Sequence, residues 1–310
     1  MHAKAVFIGH AARRVLTEKA NGIVHSVFER TFNALVSDEL IGIGRSDVSK
    51  SPANLITDIP PSTRMSSLVE KNDRVLMVED LLEIGDRLQI SLEGVKVWFP
   101  KKGVIKPLGI EAIRNNLLMA EKLVRSGHYE EGLGQLLPHV DEIIAGIAID
   151  ESRLNRVAKL ALPHIRSLVV AVRSRDLHLL ASSTRKLVGL GPGLSPSADD
   201  LLVGFMSSLC WMTNSFGKDI DYIHRANQAI LASALGRTTL LSQQMLKHAA
   251  VGETNEIIED LLEAILAYGS DEVRKAASRV LTMGETSGAD TMLGILLGLR
   301  TWLDVDLAQG

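Results

Sequence analysis

The stretch PLGIEAIRNNLLMAEKLVRSG, residues 107–127, is where the chain changes its hydrophobic period. Ile110, Ile113, Leu117, Ala120 and Val124 fall three or four apart, which places them on one face of a helix, and Gly127 supplies a stop signal. Upstream the pattern is different. Segments 22–36, 39–43, 53–58, 74–79, 87–92 and 95–99 are short and rich in Val, Ile and Phe, and turn formers such as Gly42, Gly44, Pro60, Pro61, Asn72, Asp73, Gly85, Asp86 and Gly94 separate them. That is a strand pattern with tight connections. Leu92-Glu-Gly-Val95 lies between two alternating runs and predicts a hairpin there. Downstream the helical period recurs near 139–149, 151–173, 176–188, 197–213, 219–235, 239–250, 254–268, 271–282 and 287–303, with Pro163 expected to kink or break the second of these. The expected fold class is α+β: a β-rich domain over residues 1–105, barrel-like or sandwich-like, followed by an all-helical domain over residues 106–310.

Composition agrees with that division. Of 310 residues 46% are hydrophobic but only 4% aromatic, so the core must be built from aliphatic side chains, as helices packed on helices or on a small sheet require. Lys and Arg number 34 against 37 Asp and Glu, for a net charge of -3. No basic run marks nucleic acid as a partner. The strongly apolar stretch from Leu201 to Met212 is interrupted by Gly204, Ser207 and Ser208 and is too short for a bilayer span, so no membrane is expected. The amino terminus lacks the apolar run of a secretory signal, which points to the cytoplasm. Cys210, the single cysteine, sits in the apolar stretch and reads as an inert core residue.

Three polar clusters stand out in the helical part. The densest is Gly189-Leu-Gly-Pro-Gly-Leu-Ser-Pro-Ser-Ala-Asp-Asp200. Prolines stiffen the backbone and glycines let it approach a ligand closely, so Gly191, Gly193, Ser195 and Ser197 suit a rigid loop that presents amides and hydroxyls to an anion at a helix start. Asp199 and Asp200 complicate this, because adjacent carboxylates repel an anion unless a cation such as Mg²⁺, a Lys or an Arg lies between. The second cluster is Arg237-Thr-Thr-Leu-Leu-Ser242. Arg237 can fork onto an oxyanion and Thr238 shares a helix face with Ser242, while Thr238 or Thr239 could equally be a helix cap. The third is Gly284-Glu-Thr-Ser-Gly-Ala-Asp290, with Ser287, Gly288 and Asp290.

The first and third clusters share a frame. Ser197-x-x-Asp200-x-x-x-Gly204 lines up with Ser287-x-x-Asp290-x-x-x-Gly294 at an offset of 90 residues. The bland explanation is a pair of capping boxes, each Ser capping a helix and each Asp bonding back from N3. In the β-rich part, Arg45-Ser-Asp47 reads either as a ligand-facing group or as a turn between strands. Nucleophile elbow, P-loop, dinucleotide and metalloprotease motifs are absent from the sequence, and the nine histidines are scattered singly.

The first cluster resembles the oxamate carbamoyltransferase subunit AllH family, whose pattern runs close to GLGPGLTPSGDD ahead of an apolar helix. Gly42-Ile-Gly-Arg-Ser-Asp47 with Pro52 to Asp58, the Arg237 cluster and the Asp290 cluster fit the same resemblance, which spans the chain from about residue 20 to its end. Two positions depart from it: Ser195 stands for Thr and keeps the hydroxyl, and Ala198 stands for Gly. The resemblance implies a part in anaerobic allantoin breakdown, a branch of purine catabolism. There oxalurate and phosphate are interconverted with oxamate and carbamoyl phosphate by an enzyme of several different subunits. Partners would then be a small anionic substrate (carbamoyl phosphate, oxalurate or oxamate) and other carbamoyltransferase subunits in a hetero-oligomer.

From residue type, Arg237, Asp200 and Asp290 are expected to carry the chemistry. Gly191, Gly193, Ser195, Ser197, Asp199, Thr238, Thr239, Ser242, Ser287, Gly288 and Arg45 are expected to bind the ligand, and Asp199 with Asp200 would hold a metal if one is used. Carbamoyl transfer depends on charge stabilisation and alignment more than on a protein nucleophile, so the lack of a catalytic triad fits it. Two other readings belong to different classes: a non-catalytic scaffold or regulatory subunit, and a metal-assisted amidohydrolase using Asp199 and Asp200.

Overall fold

The computed structural model describes residues 1–125 and 127–309. The chain divides into two compact units, Met1–Pro100 and Lys101–Gly310, so the division falls five residues before the expected one.

The first unit is a mixed β-barrel. Its strands are β1 (His2–Gly9), β2 (Asn21–Val27), β3 (Thr31–Val36), β4 (Glu39–Gly44), β5 (Asn54–Thr57), β6 (Arg74–Val78), β7 (Leu81–Ile84), β8 (Leu88–Ser91) and β9 (Lys96–Trp98), with a short helix α1 (His10–Val15) after β1. The order β5-β4-β3-β2-β6-β7-β8-β1 is closed by antiparallel pairing of β1 with β5. Alternation places Ile8, Val24, Phe32, Ile41, Ile43, Leu55, Leu82, Ile84 and Ile90 inside, all essentially inaccessible to water. Closure removes the open sheet edges that would otherwise invite pairing with other chains.

Three sequence expectations need correction here. Segment 22–36 is two strands, reversing direction between Val27 and Thr31, because Val24 and Phe32 must both face the core. Strands β1 and β7 were not anticipated. The hairpin expected at Leu92–Val95 does not form: β8 pairs with residues 2–4 of β1 and β9 with residues 7–9, both in parallel. Residues 88–98 therefore run along β1 in one direction, and 92–95 loop out without reversing the chain.

The second unit is all-helical: α2 (Ile110–Arg125), α3 (Val140–Ala145), α4 (Arg156–Arg173), α5 (Leu177–Leu187), α6 (Ser197–Phe216), α7 (Ile220–Ala234), α8 (Leu240–Ala249), α9 (Glu256–Ala267), α10 (Ser270–Leu281) and α11 (Ser287–Gln309). Of the predicted stripe, Ile113, Leu117, Ala120 and Val124 are fully buried and Ile110 is half-buried at the start of α2. Pro163 does not end α4, which runs unbroken from Arg156 to Arg173, and the Ser167 hydroxyl donates to the Pro163 carbonyl at 2.8 Å. Cys210 is buried, and burial pushes its thiol up to about 11, so it stays unionised. No described helix is long and apolar enough to cross a membrane.

Helices α6 and α11 form the central pair, in close contact along their length. They run parallel: Ser195 lies beside Ser287 at one end, and at the other Trp302 Nε1 donates to Thr213 Oγ1 at 3.2 Å. Glycines permit this approach. A methyl group on Gly204 would strike the Thr291 carbonyl and Ile295 amide, and one on Gly294 would strike the Leu201 carbonyl and Phe205 amide. The offset of 90 residues maps Leu201, Gly204 and Phe205 onto Thr291, Gly294 and Ile295. The internal sequence echo is thus a pseudo-twofold axis between two helices.

Candidate active site at the paired helix starts

Parallel packing brings the amino-terminal ends of α6 and α11 together, and with them the positive ends of two helix dipoles. The capping-box explanation of the shared frame is not realised on α6. Pro196 occupies the N-cap position with extended backbone, and Ser197 begins the helix with its hydroxyl buried beside Asp290 in no hydrogen bond of good geometry. The aspartates reach across the pseudo-dyad as well as back to a hydroxyl ahead of their own helices, Ser195 for Asp200 and Thr286 for Asp290. Asp290 of α11 stands beside Ser197 of α6, and Asp200 of α6 stands beside Ser287 of α11. Ser195 Oγ donates to Asp200 Oδ2 at 3.1 Å and lies 3.4 Å from Ser287 Oγ.

The first polar cluster joins the other two: Ser195 and Asp200 face the third at Ser287, and its other side faces the second. Asp199 accepts from the Gly189 amide at 2.9 Å and from the Thr238 hydroxyl, tying the first loop to the start of α8. Thr239 caps α8 by accepting from the Ser242 amide at 3.1 Å, and its own hydroxyl donates to the Leu194 carbonyl at 2.6 Å. It therefore serves as a cap and as a strut for the loop. Ser242 is buried near Asp199 without completing a hydrogen bond of good geometry. Arg237 is exposed at the end of this cluster, and among the described residues no side chain ties down its guanidinium. Gly191, at φ +120°, is packed so tightly on Ser197 that a Cβ there would lie 2.6 Å from the Ser197 amide nitrogen. Gly193, at φ +93°, is an open loop tip.

Burial controls the charge of the acids. Asp199, Asp200 and Asp290 are each about 1% exposed or less. Burial pushes Asp200 up to about 8, against hydrogen bonding from Ser287 and Ser195 that pulls it down, with Asp290 and Asp199 adding repulsion. Burial likewise raises Asp290 to about 6, partly offset by the Leu133 amide and the hydroxyls of Ser197 and Thr286. Asp199 is raised by burial and pulled back by Thr238, Gly189 and Ser242. At neutral pH Asp200 is therefore largely a neutral acid, able to donate a hydrogen bond to an anion that a carboxylate would repel.

This has a consequence for stability. A carboxyl raised in the folded state holds its proton more tightly there than in the unfolded chain, so its contribution is most favourable below about pH 4 and is lost as pH rises through 8. Asp200→Asn should leave stability nearly unchanged at pH 4 and make the protein more stable than wild type at pH 8.5. Urea unfolding at the two pH values checks this, and equal effects at both would refute a raised Asp200.

Several expected site residues are otherwise engaged. Arg45 belongs to the barrel unit, where its guanidinium donates to both oxygens of Asp47, at 2.7 and 3.2 Å, and to the Thr63 carbonyl at 3.0 Å. The turn reading describes it better than the ligand reading. Gly288 is buried and its amide donates to the Met283 carbonyl at 2.8 Å, because a side chain there would collide with the end of α10. It closes the helix start and offers no amide to a ligand. Asp199 and Asp200 do not form a magnesium pair: both oxygens of Asp199 face Gly189 and Thr238, whereas Asp200 faces Ser195 and Ser287. The metal-assisted hydrolase reading loses its ligand pair with them.

Sequence reasoning missed the fourth wall. The Leu133 amide donates to Asp290 Oδ1 at 2.6 Å, and Gly132, at φ +62°, lies so close that a Cβ would sit 2.7 and 2.9 Å from the two Asp290 oxygens and 3.0 Å from Ser197 Oγ. Asp290 Oδ2 is buried and completes no hydrogen bond of good geometry, although the Ser197 and Thr286 hydroxyls lie beside the carboxyl.

Fold and site together define a class: a small β-barrel unit followed by a helical unit with a buried, acid-rich polar centre at two paired helix starts. Residues 187–299 match the family described as oxamate carbamoyltransferase subunit AllH, and residues 4–97 match the AllH family N-terminal domain. The chain belongs to the AllH family, and its name is that of an oxamate carbamoyltransferase subunit. No solved structure matches the chain.

Proposed function

We propose that this chain is the part of an oxamate carbamoyltransferase that binds a small anionic substrate at the paired starts of α6 and α11. The observation that carries the reading is the crossed arrangement of Ser197 with Asp290 and Ser287 with Asp200, in which Ser197 Oγ and Asp290 Oδ2 are buried side by side and complete no hydrogen bond of good geometry. Buried polar atoms are normally well satisfied, so a poorly bonded pair at two paired helix starts speaks for a ligand that completes it. Two helix dipoles, an untethered guanidinium at Arg237 and a neutral Asp200 all favour an oxoanion there.

In the transfer, a phosphate oxygen forms a bond to the ureido carbonyl carbon of oxalurate, and the bond from that carbon to the oxamate nitrogen breaks. Carbamoyl phosphate and oxamate result, and the departing nitrogen takes up a proton. Arg237 holds phosphoryl or carboxylate oxygens in place. Ser195 and Ser287 turn their hydroxyls from Asp200 to the ligand when it binds. Asp200, protonated at neutral pH, gives a proton toward the leaving nitrogen, and Asp290 orients an amide group.

Arg237→Ala should weaken binding of carbamoyl phosphate and of inorganic phosphate by about tenfold or more, the loss expected for a charge-assisted contact worth roughly 1.5–3 kcal/mol. It should leave thermal stability unchanged, since the side chain is exposed. Calorimetric titration with each anion measures this, and equal affinity in wild type and variant would remove Arg237 from the site. The scaffold reading predicts that neither anion binds.

A further inference from the structure

Asn155 carries more hydrogen bonds than its local role requires. It is the N-cap of α4: its Oδ1 accepts from the Ala158 amide at 2.9 Å and its carbonyl from the Lys159 amide at 3.0 Å. Asp, Ser or Thr would serve that purpose equally well. What they lack is the amide nitrogen. Asn155 Nδ2 donates to the Glu130 carbonyl at 3.1 Å and to the Gly132 carbonyl at 2.9 Å, while its backbone amide donates to Gln135 Oε1 at 2.5 Å. One side chain therefore starts a helix and clasps a loop more than twenty residues upstream.

The Gly132 carbonyl and the Leu133 amide belong to a single peptide group, whose C=O and N–H point in opposite directions from a rigid plane. Asn155 holds the carbonyl end of that group, and Asp290 accepts from the amide end at 2.6 Å. Fixing one end aims the other, and hydrogen bonds in such a chain polarise one another. The same peptide unit presses the Gly132 Cα against Ser197 and Asp290, the buried pair that completes no hydrogen bond of good geometry.

We infer that Asn155 is a positioning residue for the site at the paired helix starts, acting through the Gly132–Leu133 peptide to set the orientation of Asp290 toward the anionic ligand. That ligand rests on the function proposed above; the clasp rests on geometry alone. Facing the Asp290 carboxyl are the Leu133 amide from the loop, Ser197 and Asp200 from α6, and Thr286 ahead of its own helix, so that Asp200 is its titratable neighbour among these.

The test uses the full chain carrying Asn155→Asp, which keeps the cap and its favourable interaction with the helix dipole but turns carboxylate oxygens toward two carbonyls. Asn155→Thr, which keeps a cap without added charge, provides the same reading if the aspartate variant folds poorly. The readout is the titration of ¹³Cγ-labelled Asp290, assigned by comparison with Asp290→Asn, together with calorimetric titration of carbamoyl phosphate. The clasp predicts that the Asp290 midpoint moves upward from about 6, because its charged form loses the amide that favours it. It also predicts that carbamoyl phosphate affinity falls by about tenfold or more from misplacement of a group the residue never touches. An unmoved Asp290 midpoint in both folded variants overturns the inference. A shifted midpoint with unchanged carbamoyl phosphate affinity upholds the clasp on Asp290 and refutes the ligand assigned to the site.

Discussion

Gly294→Ala should destabilise the helical unit by about 3 kcal/mol or more, the upper range for forcing an extra carbon into a filled core. The added Cβ would lie 2.9 Å from both the Leu201 carbonyl carbon and the Phe205 amide nitrogen, and nearer still to the Leu201 oxygen. These are backbone atoms of α6 and cannot rotate away, so relief requires the two helices to separate. Gly204→Ala should cost a similar amount, since its Cβ would meet Thr291 and Ile295 in the matching way. Once one substitution has parted the helices the second has less to break, so the double variant should lose less than the sum of the single losses. Urea unfolding with an unchanged slope would register these as true stability losses. Separation would also pull Ser195 away from Ser287, so both variants should bind anions poorly although neither glycine touches the site.

Asp200→Asn should lower phosphate-dependent cleavage of oxalurate by the assembled enzyme about 100-fold or more, the usual contribution of a positioned proton donor. Asparagine matches the shape of a neutral aspartic acid and can still donate a hydrogen bond, but it has no proton to give. Loss of turnover with retained anion binding therefore assigns proton transfer to Asp200, whereas retained turnover reduces its role to hydrogen bonding. The variant is expected to be more stable than wild type at pH 8.5, because it removes the cost of ionising a buried carboxyl. A residue that costs stability and supports activity marks a functional centre.

The helical unit was largely legible because its signal is local. Apolar spacing located α5 through α10 within three residues and α11 at its start, and the stripe from Ile113 to Val124 is buried as read. The barrel was less so. Its closure depends on β1 pairing with β5, β8 and β9, partners some fifty to ninety residues away in sequence, and no short window contains that information. The hairpin at Leu92–Val95 failed for the same reason: alternation on both sides of a glycine looks like a reversal, but both runs pair with β1.

The candidate site divides in the same way. Loops dense in Gly, Pro, Ser and Asp announced themselves, and the structure brings Ser195, Asp199, Thr238 and Ser287 together. The shared Ser-x-x-Asp frame was legible as a repeat, but its crossed use was not, because a capping box and a bond to the neighbouring helix require the same residues. Gly132, Leu133 and Asn155 left no signal at all. Each acts through single backbone or amide contacts, and Leu133 meets Asp290 across 157 residues of chain.

The central claim is that a small anion binds where α6 and α11 begin, and a crystal structure of the chain with oxamate and carbamoyl phosphate tests it most directly. The account predicts ligand oxygens within hydrogen-bond distance of Ser195 and Ser287, with the Arg237 guanidinium drawn onto them. Ligand bound elsewhere, with Ser197 Oγ and Asp290 Oδ2 left as they are and Arg237 still extended into solvent, would contradict it.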